Sequence, residues 1–185
     1  MKLGILSDSH DNLPALVRIV ERFNAENVDL VLHAGDFVSP FTAIPLSKLR
    51  APLVGVFGNN DGDRLHLARR FDGIGTLHPG YDDFEVDGLR AVLMHEPKSI
   101  DALVASGAYD LIVYGHTHEV DVRPGRPAVV NPGEACGWLT GKSTAVLFDT
   151  QTMTGEVLRP RPRLSRGDYN ATSRGDVHDE PPEAI

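Results

Sequence analysis

Four apolar runs organise the first two thirds of the chain, and each stops abruptly at polar side chains. Residues 2–7 are almost continuously apolar and end at Asp8-Ser9-His10. Val31-Leu32 leads into His33-Ala34-Gly35-Asp36, Leu53 to Phe57 into Gly58-Asn59-Asn60-Asp61, and Ile112 to Tyr114 into Gly115-His116-Thr117-His118. Runs that are apolar on both faces mark central strands of a covered sheet. The polar residues then fall at strand exits.

Between these runs the period changes. Asn12 predicts an N-cap and Pro14 suits the first helical turn. Leu13, Leu16, Val17, Val20 and Phe23 recur at helical spacing to about residue 26. A second helix is predicted over 40–49, starting at Pro40 and kinked or broken at Pro45. A third is predicted over 63–71, with Leu65, Leu67, Ala68 and Phe71 turned inward. Strand, helix, strand in this order implies a right-handed parallel crossover. Beyond residue 80 the pattern shifts to hairpins. Phe84-Glu85-Val86 and Leu89 to Met94 flank Asp87-Gly88, a strong turn signal, and His95 ends the second arm. A short helix over Ser99 to Ser106 precedes a strand from Asp110 to Tyr114. Short strands follow over Val120–Arg123, Ala128–Asn131, Thr144–Asp149 and Gly155–Leu158. An α/β front half and a hairpin-rich back half predict two stacked sheets with helices outside. From Arg159 onward the periodicity disappears into a Pro-rich basic and then acidic segment. The expected organisation is one domain over 1–158 and a flexible tail over 159–185.

With 185 residues, 41% of them hydrophobic, the chain supports one domain with a sizeable core. The net charge of -8 argues against a general nucleic-acid binder. It leaves a small phosphorylated substrate open, because bound metal ions supply positive charge. Cys136 is the sole cysteine, which rules out an internal disulfide and points to a reducing cytoplasm. No apolar run reaches the length of a membrane span, and the start carries no basic region or cleavage site. A soluble cytoplasmic protein is expected; self-association is left open.

Alternate residues of an extended chain point to one side, so Asp8 and His10 can present an oxygen and a nitrogen to the same point. The strand exits together offer Asp8, His10, Asp36, Asn59, His95, His116 and His118. A set of oxygens and imidazoles without thiolate suits manganese, zinc, iron or magnesium. Seven donors exceed the needs of one such ion. Two ions about 3.5–4 Å apart, bridged by a carboxylate, use them all. Each motif alone has a plainer reading: Asp8 as a helix cap, Asp36 and Asn59 to Gly62 as turns, His95 as a surface or satisfied core histidine. Their joint order favours the metal site. His33 is expected to pack behind Asp36, and Cys136 to be a small buried or loop residue.

Asp8-Ser9-His10, Gly35-Asp36, Gly58-Asn59-x-Asp61, an isolated His95 and Gly115-His116-Thr117-His118 resemble, in order, the motifs of calcineurin-like metallophosphoesterases. They are most similar to the compact bacterial and archaeal phosphodiesterase branch to which the retromer subunit Vps29 is related. The resemblance covers residues 1 to about 158 and includes the Asn131-Pro132-Gly133 loop. It implies a four-layer α/β/β/α sandwich of two mixed sheets with the site at one sheet edge. It also implies that Asp8, His10 and His118 hold one divalent ion, that Asn59, His95 and His116 hold the other, and that Asp36 bridges them. Manganese comes first among the ions, with zinc, iron, nickel or magnesium as alternatives. A hydroxide bridging the ions would attack phosphorus.

Three positions depart from the family pattern. Asn60 stands where many members carry a leaving-group histidine, Glu96 where glycine is usual after His95, and Glu134 where serine is common. The expected activity is a metal-dependent phosphodiesterase that favours diesters or good leaving groups. Asn59, His95 and Asp61 are its candidate catalytic residues. The general acid is left among Asp61, Glu96 and a metal-bound water. The alternatives are a Vps29-like protein-binding scaffold with a vestigial site, and a metal-dependent nuclease, which the acidic balance disfavours.

Overall fold

Alternation along the central strands sorts the core into three layers. In β1 (Lys2–Leu6), Leu3 and Ile5 face one way and Leu6 the other. The computed structural model describes residues 1–160, so the expected tail falls almost entirely outside the described residues. The remaining strands are β2 (Leu30–His33), β3 (Leu53–Val56), β4 (Gly75–His78), β5 (Tyr81–Val86), β6 (Leu89–Met94), β7 (Leu111–Val113), β8 (Val120–Arg123), β9 (Ala128–Pro132), β10 (Ala145–Asp149) and β11 (Thr154–Leu158). They form a six-stranded sheet in the order β11-β10-β1-β2-β3-β4 and a five-stranded sheet in the order β5-β6-β7-β9-β8. β1 to β4 are parallel and β10 and β11 antiparallel. In the second sheet β6, β7 and β9 are parallel, and the edges β5 and β8 antiparallel. Both sheets are therefore mixed.

The helices α1 (Leu13–Ala25), α2 (Ala43–Leu46) and α3 (Arg64–Arg70) cover the outer face of the larger sheet. Leu16, Ile19, Val20 and Phe23 of α1 pack there with Val31, Phe37, Leu67 and Phe71. Between the sheets, Leu3, Ile5, Leu32 and Val56 meet Leu93, Leu111, Val113 and Val130. On the far face of the second sheet, Val92, Met94, Ile112 and Val129 are covered by Ile100 and Leu103 of α4 (Ile100–Ser106). Three apolar layers separate four structural ones, which is the α/β/β/α sandwich expected. No helix among the described residues is long and apolar enough to cross a membrane.

The structure departs locally from the sequence reading. In α1 the buried stripe is Leu16, Ile19, Val20 and Phe23, a clean i, i+3, i+4, i+7 set, and Val17 faces solvent. In α3 Leu67 and Phe71 point inward, so Leu65, some 200° around the helix from Leu67 at about 100° per residue, is exposed, as is Ala68. The segment predicted as one helix over 40–49 is a 3-10 turn, Pro40–Thr42, followed by the single turn of α2. Pro45 sits within that first turn, where its missing N–H costs nothing. β4 was not anticipated, because Gly75-Thr76-Leu77-His78 is an edge strand with one aliphatic residue. β5 likewise begins at Tyr81, three residues before the apolar pattern does.

Candidate metal centre

The exits of β1, β2 and β3 lie side by side because these strands are parallel neighbours. β6 and β7 bring His95 and the Gly115–His118 turn against them, and all seven candidate ligands come together. The Asp8 Oδ1 atom is 3.4 Å from His118 Nε2 and 3.8 Å from His10 Nε2. Asp36 Oδ2 is 3.5 Å from His10 Nε2 and 3.4 Å from His95 Nε2. Asn59 Oδ1 is 2.8 Å from His95 Nε2 and 2.9 Å from His116 Nδ1. Asp36 thus stands between the Asp8, His10, His118 group and the Asn59, His95, His116 group.

Backbone geometry is spent on this convergence. Asp8, His10, Asp36, His116 and His118 all adopt positive φ. For residues with a Cβ, that conformation costs on the order of 1 kcal/mol each, and it persists only where the surroundings enforce it. Enforcement comes from cross-links between the loops. Asp8 N–H donates to the Gly35 carbonyl at 3.0 Å, and Ser9 and His10 N–H to the Asp36 carbonyl at 3.0 and 3.1 Å. His116 N–H donates to Asp8 Oδ2 at 3.0 Å. The motif glycines make room. Gly35 sits at φ +97°, and a Cβ there would fall 2.7 Å from His95 Nδ1; a Cβ on Gly58 would collide with the Asp36 carboxylate.

Asp61 belongs to this scaffold. Its carboxylate accepts backbone N–H bonds from Gly58 at 2.7 Å, Val38 at 2.7 Å and Asp36 at 3.2 Å, tying the β2 and β3 exit loops together. Burial pushes its carboxyl up, against the pull of those N–H donors. Asn60 donates from its backbone N–H to Asp36 Oδ1 at 2.8 Å and from Nδ2 to Asp36 Oδ2 at 2.7 Å. Burial alone would raise Asp36, yet its bonds to His95 and Asn60 hold it well below the usual carboxylate range. His33 packs behind this turn as expected: its ring stacks on Phe37 at 3.7 Å, and Nδ1 accepts from Gly35 N–H at 3.1 Å. Full burial holds it neutral, at about 3.

Glu134 was noted in the sequence as a departure but not given a role. It is fully buried, and its Oε2 lies 2.9 Å from His118 Nδ1. Leu139 and Thr140 N–H, the Thr140 hydroxyl and the Cys136 thiol also donate to it. These bonds overcome the cost of burial and hold it at about 2. The signal was an acidic residue directly after Asn131-Pro132-Gly133. Asn131 itself donates to the Gly115 carbonyl at 3.1 Å and to Thr117 Oγ1 at 2.9 Å, fixing the turn between the two histidines. Burial pushes the Cys136 thiol to about 12, which excludes a nucleophilic role near neutral pH.

The donor set fits divalent ions on its own chemistry. His118 gives its Nδ1 proton to Glu134, and His95 gives its Nδ1 proton to the Ala34 carbonyl at 2.8 Å. Both Nε2 atoms then face inward, where the deprotonated ring offers a lone pair. Burial lowers His95, but Asp36 beside it raises it on balance, so a positive charge is drawn between its Nε2, the Asp36 carboxylate and the Asn59 oxygen. Asp8 Oδ1 and His10 Nε2 are buried without a hydrogen-bond partner among the described residues. Inward-facing nitrogens and oxygens, with Asp8 Oδ1 unpartnered among them, are held together best by a cation between them.

Residues 1–153 match the profile of the calcineurin-like phosphoesterase superfamily domain. A phosphodiesterase of Methanocaldococcus jannaschii is 41% identical over 157 residues, covering 82% of this chain and 94% of that protein. A probable metallophosphoesterase of Methanothermobacter thermautotrophicus is 32% identical, covering 86% and 92%. The solved structure of an archaeal phosphodiesterase superposes with a TM-score of 0.80 at 37% identity, over 86% of this chain and 99% of that one. Vps29 of Entamoeba histolytica superposes with a TM-score of 0.61 at 15% identity, over 87% and 100%, a likeness of fold alone.

Proposed function

The chain belongs to the calcineurin-like phosphoesterase superfamily, and from that premise we propose that it is a hydrolase cleaving phosphodiesters with two divalent metal ions. The observation that carries this reading is the convergence of oxygen and nitrogen atoms of Asp8, Asn59, His95 and His118, with the Asp36 carboxylate between its two halves. Asp8, His10 and His118 would hold one ion, Asn59, His95 and His116 the other, and Asp36 both; manganese is the first candidate. When bound, the ions supply Lewis acidity toward a phosphoryl oxygen and make a water nucleophilic at neutral pH.

The chain's own residues do the positioning. Asn60 fixes the plane of the Asp36 carboxylate, and Asp61 clamps the loops that carry Asp36 and Asn59. Asp61 is therefore a positioning residue, its two oxygens engaged by backbone N–H groups of Val38, Gly58 and Asp36. Glu96, the other side-chain candidate for the acid, is held below the usual carboxylate range by its hydrogen bond to Lys98, so it keeps little proton to give near neutral pH. Asn60 cannot donate an acidic proton. Without a poised acid, the reaction favours leaving groups that depart as stable anions. The substrate is a small phosphorylated molecule. A cytoplasmic location is part of the proposal, supported by the single, buried, unpaired Cys136.

The test compares bis(4-nitrophenyl) phosphate with 4-nitrophenyl phosphate in the presence of Mn²⁺. The diester is expected to turn over at least about tenfold faster in kcat/KM. A faster monoester would contradict the reading, and no metal-stimulated turnover of either would favour a binding scaffold.

A further inference from the structure

A pocket of about 480 Å³ opens directly beside Asn59 and His95, within the range of small-molecule sites. Phe57, Pro79, Tyr81, Met94 and Leu103 supply apolar walls. Phe57 and Met94 are almost fully buried, so these walls are anchored in the core. Arg64 borders the same space, with its guanidinium 5.6 Å from the centre of the Phe57 ring. Its Nη2 donates to the Gly58 carbonyl at 2.9 Å and its Nε to the Asp61 carbonyl at 3.2 Å. The fork is thus fixed to the loop that carries Asn59, and neither bond uses Nη1. The other charges of the pocket, Lys98 and Glu96, neutralise each other at 2.8 Å.

These features define an occupant. A pocket continuous with the candidate metal centre receives whatever the phosphorus carries. Its apolar walls make a charged group costly to bury, Lys98 is paired with Glu96, and Arg64 is turned to the Gly58 and Asp61 carbonyls. A planar guanidinium fixed at its edge, with Phe57 and Tyr81 beside it, suits a flat aromatic one. We propose that this pocket binds one ester arm of the diester, an uncharged planar group of aryl or nucleobase size, and that Arg64 and Leu103 determine that preference. The proposal rests on the phosphodiesterase reading and adds its substrate class.

The test is calorimetric binding of diphenylphosphinate and dimethylphosphinate to the manganese-loaded protein. Both mimic a diester anion but carry P–C bonds that cannot be hydrolysed, so the readout is independent of turnover. Wild type should bind the diphenyl compound at least about tenfold more tightly. Leu103→Trp, which fills the pocket from α4, should remove that advantage and leave dimethylphosphinate within about twofold of wild type. Tyr81→Ala, on an exposed edge strand, should reduce the advantage by about threefold without loading the core. Equal affinities in wild type would overturn the proposal. So would a Leu103→Trp protein, folded by its melting curve, that keeps the full preference or loses both ligands alike. If neither phosphinate binds wild type and no diester is hydrolysed, the phosphodiesterase reading fails first and takes this proposal with it.

Discussion

His95 and His118 meet the same requirement with different partners. Each needs its Nδ1 proton held so that Nε2 faces inward. On one side of the site a backbone carbonyl, Ala34, accepts the bond at 2.8 Å; on the other a buried carboxylate, Glu134, accepts it at 2.9 Å. The difference is electrostatic as well as geometric. A carboxylate places a negative charge behind the imidazole it holds and strengthens it as a ligand, whereas a carbonyl mainly orients it. The His118 side is therefore open to tuning by substitution. The His95 side is fixed by the main chain.

Removing the group common to both sides should have the largest effect. Asp36→Ala is expected to lower Mn²⁺-dependent diesterase turnover by about three orders of magnitude or more, through loss of metal. His116→Ala, which strips only the Asn59 and His95 side, should do the same. Metal content and melting temperature of the purified variants separate loss of ions from loss of fold. Wild-type turnover in either variant would contradict the assignments.

The next effect tests the asymmetry itself. Glu134→Ala should weaken binding of one of two ions by about 10–100-fold, with Glu134→Gln recovering part of the loss because it still accepts from His118. Calorimetric titration of the metal-free variants distinguishes this from a general weakening of both ions.

His33 gives a smaller effect and a contrast with the ligand histidines, because it is kept neutral by burial behind the shared turn. Its folded value of about 3 lies below the ordinary 6.5. The unfolded chain therefore takes up a proton first as pH falls. Stability carried by neutral His33 is present above 6.5 and is lost progressively toward 3, with a slope of about 1.4 kcal/mol per pH unit. Unfolding free energies from urea titrations of wild type and His33→Gln across pH 7 to 4 should diverge toward that slope; parallel curves would contradict it. Asn60→Ala should be the mildest change. It removes one side-chain bond to Asp36 while the backbone bond remains, so kcat should fall by about tenfold or less, with metal stoichiometry unchanged.

Much of this was legible in the sequence, for identifiable reasons. Apolar runs ending in Asp8, Asp36 and Asn59 declare parallel strands whose exits must be neighbours, so the candidate ligands could be collected before any coordinates. What stayed hidden depends on contacts across the fold. Leu65 and Val17 fit a helical count but lie off the buried stripe, because the facing sheet, not the helix, decides which stripe is covered. β4 carries too little apolar signal to stand out and forms by pairing with β3. The backbone bonds of Asp61 were not legible either, because spacing shows which residues are near, not which way their oxygens point. Glu134 read only as an oddity in a loop; its role depends on a histidine sixteen residues earlier, brought to it by the β8–β9 hairpin.

The account depends most on the number of ions these side chains hold. Calorimetric titration of metal-free wild-type protein with Mn²⁺, with diesterase activity followed on the same samples, measures it directly. Two ions per chain, activity appearing as the second binds, and failure of the Asp36→Ala protein to hold the pair are the results expected. A protein that hydrolyses the diester at full rate with no ion, or with only one, would contradict it.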